Sequence, residues 1–272
     1  MKNIILVCLL ITTVKVQSQF APDIDSEGTT AIYKDSSAFV NWATSCEVTR
    51  GYLKIDEPEL GTVSTGQPEL GIGKAGENGV VSLGDGGEAI LQFDVPIING
   101  EGFDFAVFEN SFSNTFLELA FVEVSSDGVN YYRFPATSNT QTDTQIGTFD
   151  LLDPTKLNNL AGKYRALYGT PFDLEELKDE IGLDVGKITH VKVIDVVGTL
   201  DDDYATYDKN NNKINDPWST NFGSGGFDLD AVGVINQDPT NAIEILNELV
   251  IRIFPNPTSD YLMINTTENN PR

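Results

Sequence analysis

The apolar positions of this chain fall mostly in short alternating runs, separated by glycine, asparagine and aspartate. Period-two alternation sets one side of a strand against a core and the other against water. Residues 80–83 and 89–93 read as two strands parted by the turn Gly84-Asp85-Gly86-Gly87. Phe103, Phe105 and Val107, or their alternates, build a strand through Phe108. Residues 121–125 and 130–134 flank Ser126-Asp127-Gly128. Asp-Gly there predicts a tight hairpin turn, because glycine takes positive φ without strain. Residues 188–197 and 227–235 are the strongest later strands. Helical signals are sparse. Asp35 or Ser36 is placed to cap a short helix through Ala43, with Phe39, Val40 and Ala43 on one face. In a long insertion, 136–187, residues 157–167 and 174–181 read as helical pieces, the second capped by Asp173. Residues 51–78, rich in Gly, Pro and Glu, read as a long loop. No internal repeat is visible. Many short strands, much turn chemistry and few helices predict an all-β fold, an antiparallel β-sandwich with a few short helices in insertions.

The ends carry a different kind of pattern. Lys2 precedes an apolar run, 4–14, too short to span a bilayer, and Val16-Gln17-Ser18 supplies a small residue for cleavage. This predicts a secretory signal peptide over 1–18. Cys8 lies inside the apolar run with almost nothing before it, which argues against a lipid anchor. No membrane span is expected elsewhere. Near the other end runs Ile253-Phe254-Pro255-Asn256-Pro257-Thr258-Ser259-Asp260-Tyr261-Leu262-Met263-Ile264-Asn265. An apolar pair, a Pro-Asn-Pro turn and an alternating strand read as the start of a small β-module, since proline fixes φ and cannot donate to a ladder. The stretch resembles the opening of the sorting domain that Bacteroidota attach to cargo of their type IX secretion system. That resemblance implies the secretion machinery as a partner and a secreted or outer-cell-surface destination. It covers only the start of such a domain, so a truncated sorting domain is expected over 249–272, after a linker at 237–248.

The body has resemblances of its own. The hairpin Val122-Glu123-Val124-Ser125-Ser126-Asp127-Gly128-Val129-Asn130-Tyr131 resembles one found in discoidin-like, galactose-binding-like jelly rolls. So does a pairing of Val191-Lys192-Val193 with the late strand Asp228-Leu229-Asp230-Ala231-Val232. Residues 20–236 are similar to a family of bacterial cell-surface proteins of undefined role, in Ser82-Leu83-Gly84, Val107-Phe108-Glu109-Asn110, Leu160-Ala161-Gly162 and Gly225-Gly226-Phe227-Asp228. These likenesses imply a jelly-roll sandwich over 19–236 and supply no reaction.

Charge narrows the partners. The 272 residues carry a formal charge of −24, and removal of 1–18, which holds Lys2 and Lys15 and no acid, makes it −26. Such acidity argues against nucleic acid and anionic lipid. It serves solubility, and a few of the acids suffice for a calcium site. After cleavage only Cys46 remains, so an intrachain disulfide is ruled out, and its apolar surroundings favour a buried thiol.

The best candidate chemistry is Asp208-Lys209-Asn210-Asn211-Asn212-Lys213-Ile214-Asn215-Asp216. Side-chain oxygens at Asp208, Asn210, Asn212 and Asp216, with the Ile214 carbonyl, follow the ligand spacing of an EF-hand-like calcium loop. Lys213 stands where that loop has glycine and Ser219 where it has glutamate, so distant carboxylates are required. Asp228 and Asp230, two apart on one strand, share a face and are the expected partners; if Phe227, Leu229 and Ala231 fill the core, both acids face out. Asp201-Asp202-Asp203 is a second source, and Glu109-Asn110 serves a site or a turn. Tyr204, Tyr207 and Trp218 are candidate platforms for a sugar ring, or core residues. Enzyme signals are thin. His190 is the one histidine and sits beside Lys192, so zinc and Ser-His-Asp sites have little material. No catalytic residue is assigned. The sequence therefore predicts a secreted or surface-displayed, non-catalytic ligand-binding protein, stabilised by structural calcium, with a glycan or small molecule as ligand. The alternatives are an accessory that captures a nutrient or cofactor for an outer-membrane transporter, and a carboxylate-dependent hydrolase.

Overall fold

The computed structural model describes residues 20–238 and, beyond them, the backbone of two strands. The expected signal peptide, most of the linker and most of the tail lie outside the described residues. The chain folds as an all-β sandwich of antiparallel strands. One sheet runs β1 (Ile32–Tyr33), β11 (Tyr168–Phe172), β6 (Phe105–Glu109), β13 (Asp228–Val234) and β2 (Asn41–Trp42), with β4 (Val81–Ser82) also paired to β13. The other runs β3 (Ser45–Thr49), β5 (Glu88–Ile97), β12 (Ile188–Asp195), β7 (Ala120–Ser125) and β8 (Tyr132–Arg133). A small ladder joins β9 (Thr137–Ser138) to β10 (Leu157–Asn158). Past the body, β14 (Val250–Phe254) pairs with β15 (Met263–Thr267), Phe254 opposite Met263; the expected Pro-Asn-Pro turn between them lies outside the described residues.

Strict alternation places the core. Along β5, Ala89, Leu91, Phe93, Val95 and Ile97 are buried while the intervening residues are not. On β12, Val191 and Val193 point inward and leave His190 and Lys192 on the outer side. These meet Phe105 and Val107 of β6, Phe172 of β11, and Leu229, Val232 and Val234 of β13 in one apolar core between the sheets. The sheet holding β6 and β13 is buried on both faces. Its outer side packs Ala106, Phe108 and Ala231 against Ala75, Phe39 and Trp42.

The expected hairpin forms, with Gly128 at φ 75° and Glu123 opposite Arg133. Asp127 holds it, its carboxylate accepting from the backbone N–H of Val129 and Asn130, each at 2.8 Å. Other expectations are corrected. The turn Gly84–Gly87 exists, but it carries the chain from β4 in one sheet to β5 in the other, so the two strands are not partners. Likewise Val191-Lys192-Val193 pairs with β5 and β7, not with the late strand, which lies in the opposite sheet against β6. No helix forms over 35–43. Val40 and Ala43 donate their backbone N–H groups to Val234 and Val232, and pairing along β13 wins over local helix propensity. Residues 157–167 open as β10 and are kept from helix by positive φ at Asn159 and Leu167. The cap at Asp173 is correct, accepting from Glu175 N, but the helix shrinks to the 3-10 turn Leu174–Leu177.

Candidate functional site

Strand directions gather the site at one end of the sandwich. β6 stops and β13 starts there, with Leu229 opposite Glu109. In the facing sheet β7 starts and β12 stops there, with Asp195 opposite Ala120. The connections 110–119 and 196–227 leave from the same end. It is rich in buried acid: Asp85, Glu109, Glu118, Asp195, Asp216 and Asp228 are all at most 9 % exposed.

Most of these carboxylates hold loop backbone. Asp195 accepts from Phe227 N at 2.7 Å and Gly86 N at 3.1 Å, tying the entry of β13 and the sheet crossing to the end of β12. Asp85 accepts from Ile55 N at 3.0 Å and from the indole N–H of Trp218 at 2.9 Å. Asp216 accepts from Leu119 N with one oxygen, and its Oδ1 is buried without a partner. Glu109 accepts from Ser111 N at 2.7 Å, and its Oε1 is equally unpartnered. Asp228 accepts from the Ser82 hydroxyl and from the Asn110 side chain. Glu118 differs from all of these. Its carboxyl has no hydrogen-bond donor among the described residues.

Burial dominates the electrostatics, because a desolvated carboxylate favours its neutral form. It lifts Glu109, Glu118, Asp195 and Asp216 well above the usual carboxylate range, and mutual repulsion adds to the effect. Burial raises Asp228 to about 6 against donation from Ser82 and Asn110. Arg50 is the cation that offsets Asp228, but its guanidinium donates to the carbonyls of Thr65, Gly66 and Ser82 rather than to an acid.

Above Glu118 and Asp228 opens a cavity of about 350 Å³, lined also by Thr65, Asn110, Thr148 and Ser224. Its wall is phenylalanine. Phe112 and Phe116 stack at 4.6 Å and 14°, Phe116 and Phe149 at 6.4 Å and 22°, Phe149 and Phe222 at 6.2 Å and 7°. The rings form a near-parallel strip drawn from three separate loops. Phe112 is 78 % exposed and Phe149 73 %.

The expected calcium loop is a closed turn. Asp208 N donates to the Asn212 carbonyl, Tyr207 bridges to Lys213, and Asn211 takes φ 63°. Asp208 Oδ1 accepts from the N–H groups of Asn210 and Asn212, and Oδ2 from Ser138 N. The Asn212 side chain offers its NH₂, not its oxygen, to Asp208. Ile214 is fully buried in a side core under the loops, and Asp216 turns away to Leu119. Asp228 faces the phenylalanine cavity, while Asp230 accepts from Gly76 N with both oxygens and is raised to about 6 by burial. Both strand acids are thus buried rather than out on a solvated face. The seven expected ligands do not converge, and no group of three or more His, Cys, Asp or Glu side chains suited to a metal occurs among the described residues.

The expected sugar platforms also scatter. Trp218 is half-buried, donates to Asp85 and lies under Lys54 at 5.5 Å. Tyr207 lines a second cavity with Phe121, Arg133 and Asp208, and Tyr204 is half-buried in the loop before it. Cys46 is half-buried, and desolvation pushes its thiol up to about 12. The residues that sequence reasoning missed are Phe112, Phe116, Phe149 and Phe222. Their signal was context: each stands in a polar loop stretch, such as Ser111-Phe112-Ser113-Asn114-Thr115-Phe116 or Asn221-Phe222-Gly223-Ser224, outside any alternating run that would claim it for a core. Glu118 was missed because it precedes a strand whose neighbours, Leu117 and Leu119, read simply as core. No protein-family model, curated protein or solved structure matches this chain, so its site is read from its own geometry alone.

Proposed function

We propose that this is a non-catalytic binding protein of the cell exterior that seats a small ligand in the phenylalanine-walled cavity. One observation carries the reading: four near-parallel phenylalanine rings, two of them largely exposed, border a concave site with two carboxylates inside. Exposed apolar rings arranged around a concavity mark interaction sites, and about 350 Å³ falls at the small end of ligand pockets. A flat or apolar ligand face stacks on the rings while polar groups reach Asn110, Glu118 and Asp228. A sugar ring satisfies that description, as does a compact nutrient awaiting transport. The test is a screen of the full chain against glycans and small nutrients by ligand-observed NMR, repeated on Phe112→Ala/Phe149→Ala. A ligand whose affinity falls about tenfold or more in the double variant, with the melting temperature unchanged, supports the reading. Ligands indifferent to the two rings overturn it.

A second reading has its own observation. Glu118 and Asp228 share the cavity, and burial raises both carboxyls, Asp228 to about 6. A protonated acid beside an ionised one is the pairing used in glycoside hydrolysis. Turnover of aryl glycosides, abolished by Glu118→Gln, would establish a hydrolase. Absence of turnover with binding intact leaves the binding function.

A further inference from the structure

We infer that the cavity is selective for an organic ammonium ligand, one that carries N–H donors on an apolar body and docks its charge against Glu118. The inference rests on the cavity being the binding site and adds the chemical class of what it binds. Three observations lead there. First, Glu118 is 9 % exposed, opens on the cavity, and receives no hydrogen bond among the described residues. Burial favours the neutral form of such a carboxyl while the site is empty, and a ligand that brings donors and positive charge favours its ionised form. Second, the acids around it outnumber the cation near them, Arg50, which offsets Asp228. Glu109, Asp228 and Asp216 all press on Glu118 with like charge, and no basic residue lines the cavity. An anionic ligand is repelled there, a neutral one gains nothing from the field, and a cation gains from each carboxylate. Third, the wall is aromatic. The stacked rings offer apolar area to the body of a ligand. Carboxylates inside and an apolar mouth together suit a cation carried on an apolar body.

The experiment compares two ligands of one shape on the full chain. Benzylammonium and benzyl alcohol differ chiefly in charge at one end. By isothermal titration calorimetry or ligand-observed NMR at low salt, benzylammonium is expected to bind at least about tenfold more tightly. The preference should shrink as salt is added. Glu118→Gln keeps the side-chain shape and should shrink the preference for the amine over the alcohol to about twofold or less. Its melting temperature, measured alongside, reports whether the variant is folded. Phe112→Ala/Phe149→Ala should weaken both ligands. If the alcohol binds as well as the amine, and both depend on the rings, the pocket stands and the cation assignment falls. If neither ligand binds, both fall. If millimolar calcium stabilises the wild type, loses that effect in Glu118→Gln, and blocks benzylammonium, the occupant is a metal ion and the organic-cation assignment is overturned.

Discussion

Asp127 and Asp208 show how much a single carboxylate does here when it faces backbone. Asp127 accepts from Val129 N, Asn130 N and the Asn130 side chain, which hold its carboxyl well below the usual carboxylate range. Beside it, Gly128 has φ 75°, and an added Cβ would meet the His190 ring at 2.8 Å. Gly128→Val should therefore cost well over about 1 kcal/mol, from backbone strain and from the clash. A chemical-denaturation midpoint equal to wild type would contradict this. Asp208 satisfies the N–H groups of Asn210, Asn212 and Ser138 at once. Asp208→Ala strands those donors and should destabilise by roughly 2 kcal/mol, unmatched hydrogen bonds being the cause. Because the carboxylate is already occupied by backbone, the loss should be the same in millimolar calcium as in chelator. A loss confined to calcium-containing buffer would restore the metal-loop expectation.

At the scale of elements, the strands were more legible than their partners, the Asp127-Gly128 hairpin being the pairing read correctly. Along β5 and β12 the alternation of the sequence matches the observed burial, because a half-buried strand writes its burial into the sequence. The same rule fails for β6 and β13, which are buried on both faces, their acids included. Asp228 and Asp230 looked like a solvated face for this reason. Beside Phe39 and Trp42, the covering layer draws on 51–78, a stretch that reads as loop and supplies Ala75 and the N–H of Gly76. Sheet membership was out of reach because Gly84-Asp85-Gly86-Gly87 has hairpin composition yet crosses between sheets. The aromatic strip was missed because loop phenylalanines have no periodicity to announce them. The close covering of β13 is itself testable. A Cβ on Gly233 would meet Phe39 at 2.7 Å and Trp42 at 2.9 Å. Gly233→Ala should cost about 1–3 kcal/mol by overpacking, and Gly233→Ala with Phe39→Ala should recover part of it. A single variant as stable as wild type would mean that the aromatic cover is not seated on the strand.

For the whole molecule, the buried acids set a pH dependence with a definite sign. Glu109, Glu118, Asp195, Asp216, Asp228 and Asp230 are all raised by burial, and Asp85 and Asp104 move the same way. Such groups bind protons more tightly folded than unfolded. The stability linked to them is complete below the ordinary carboxylate range and is lost as pH rises through the folded values, about 6 for Asp228 and Asp230. Taking Asp228 from 3.8 to about 6 corresponds to about 3 kcal/mol. Asp35, Asp127, Glu175 and Asp202 are lowered and act oppositely, losing stability as pH falls, but they sit at the surface, where solvent screens them. The ligand-free protein should melt higher near about pH 5 than near about pH 7, by calorimetry at constant ionic strength. A melting temperature that climbs steadily over that interval would show that the buried acids are neutralised by something other than protons.

The crossing at Gly84–Gly87 has a kinetic consequence. It separates two strands that adjoin in the chain, and the same separation recurs throughout. Within the two sandwich sheets only β7 and β8, joined by Asp127-Gly128, pair with their immediate neighbour in sequence. Every other ladder, β5 with β12 and β6 with β13 above all, waits for distant segments to meet. Loop-closure entropy must be overcome before those contacts stabilise anything, which places the barrier late and the refolding time at about milliseconds to seconds or longer. One local hairpin ahead of a slow, concerted closure of both sheets is therefore the expected order of events. Stopped-flow refolding should show it as a major slow phase that substitutions in β12 or β13 retard.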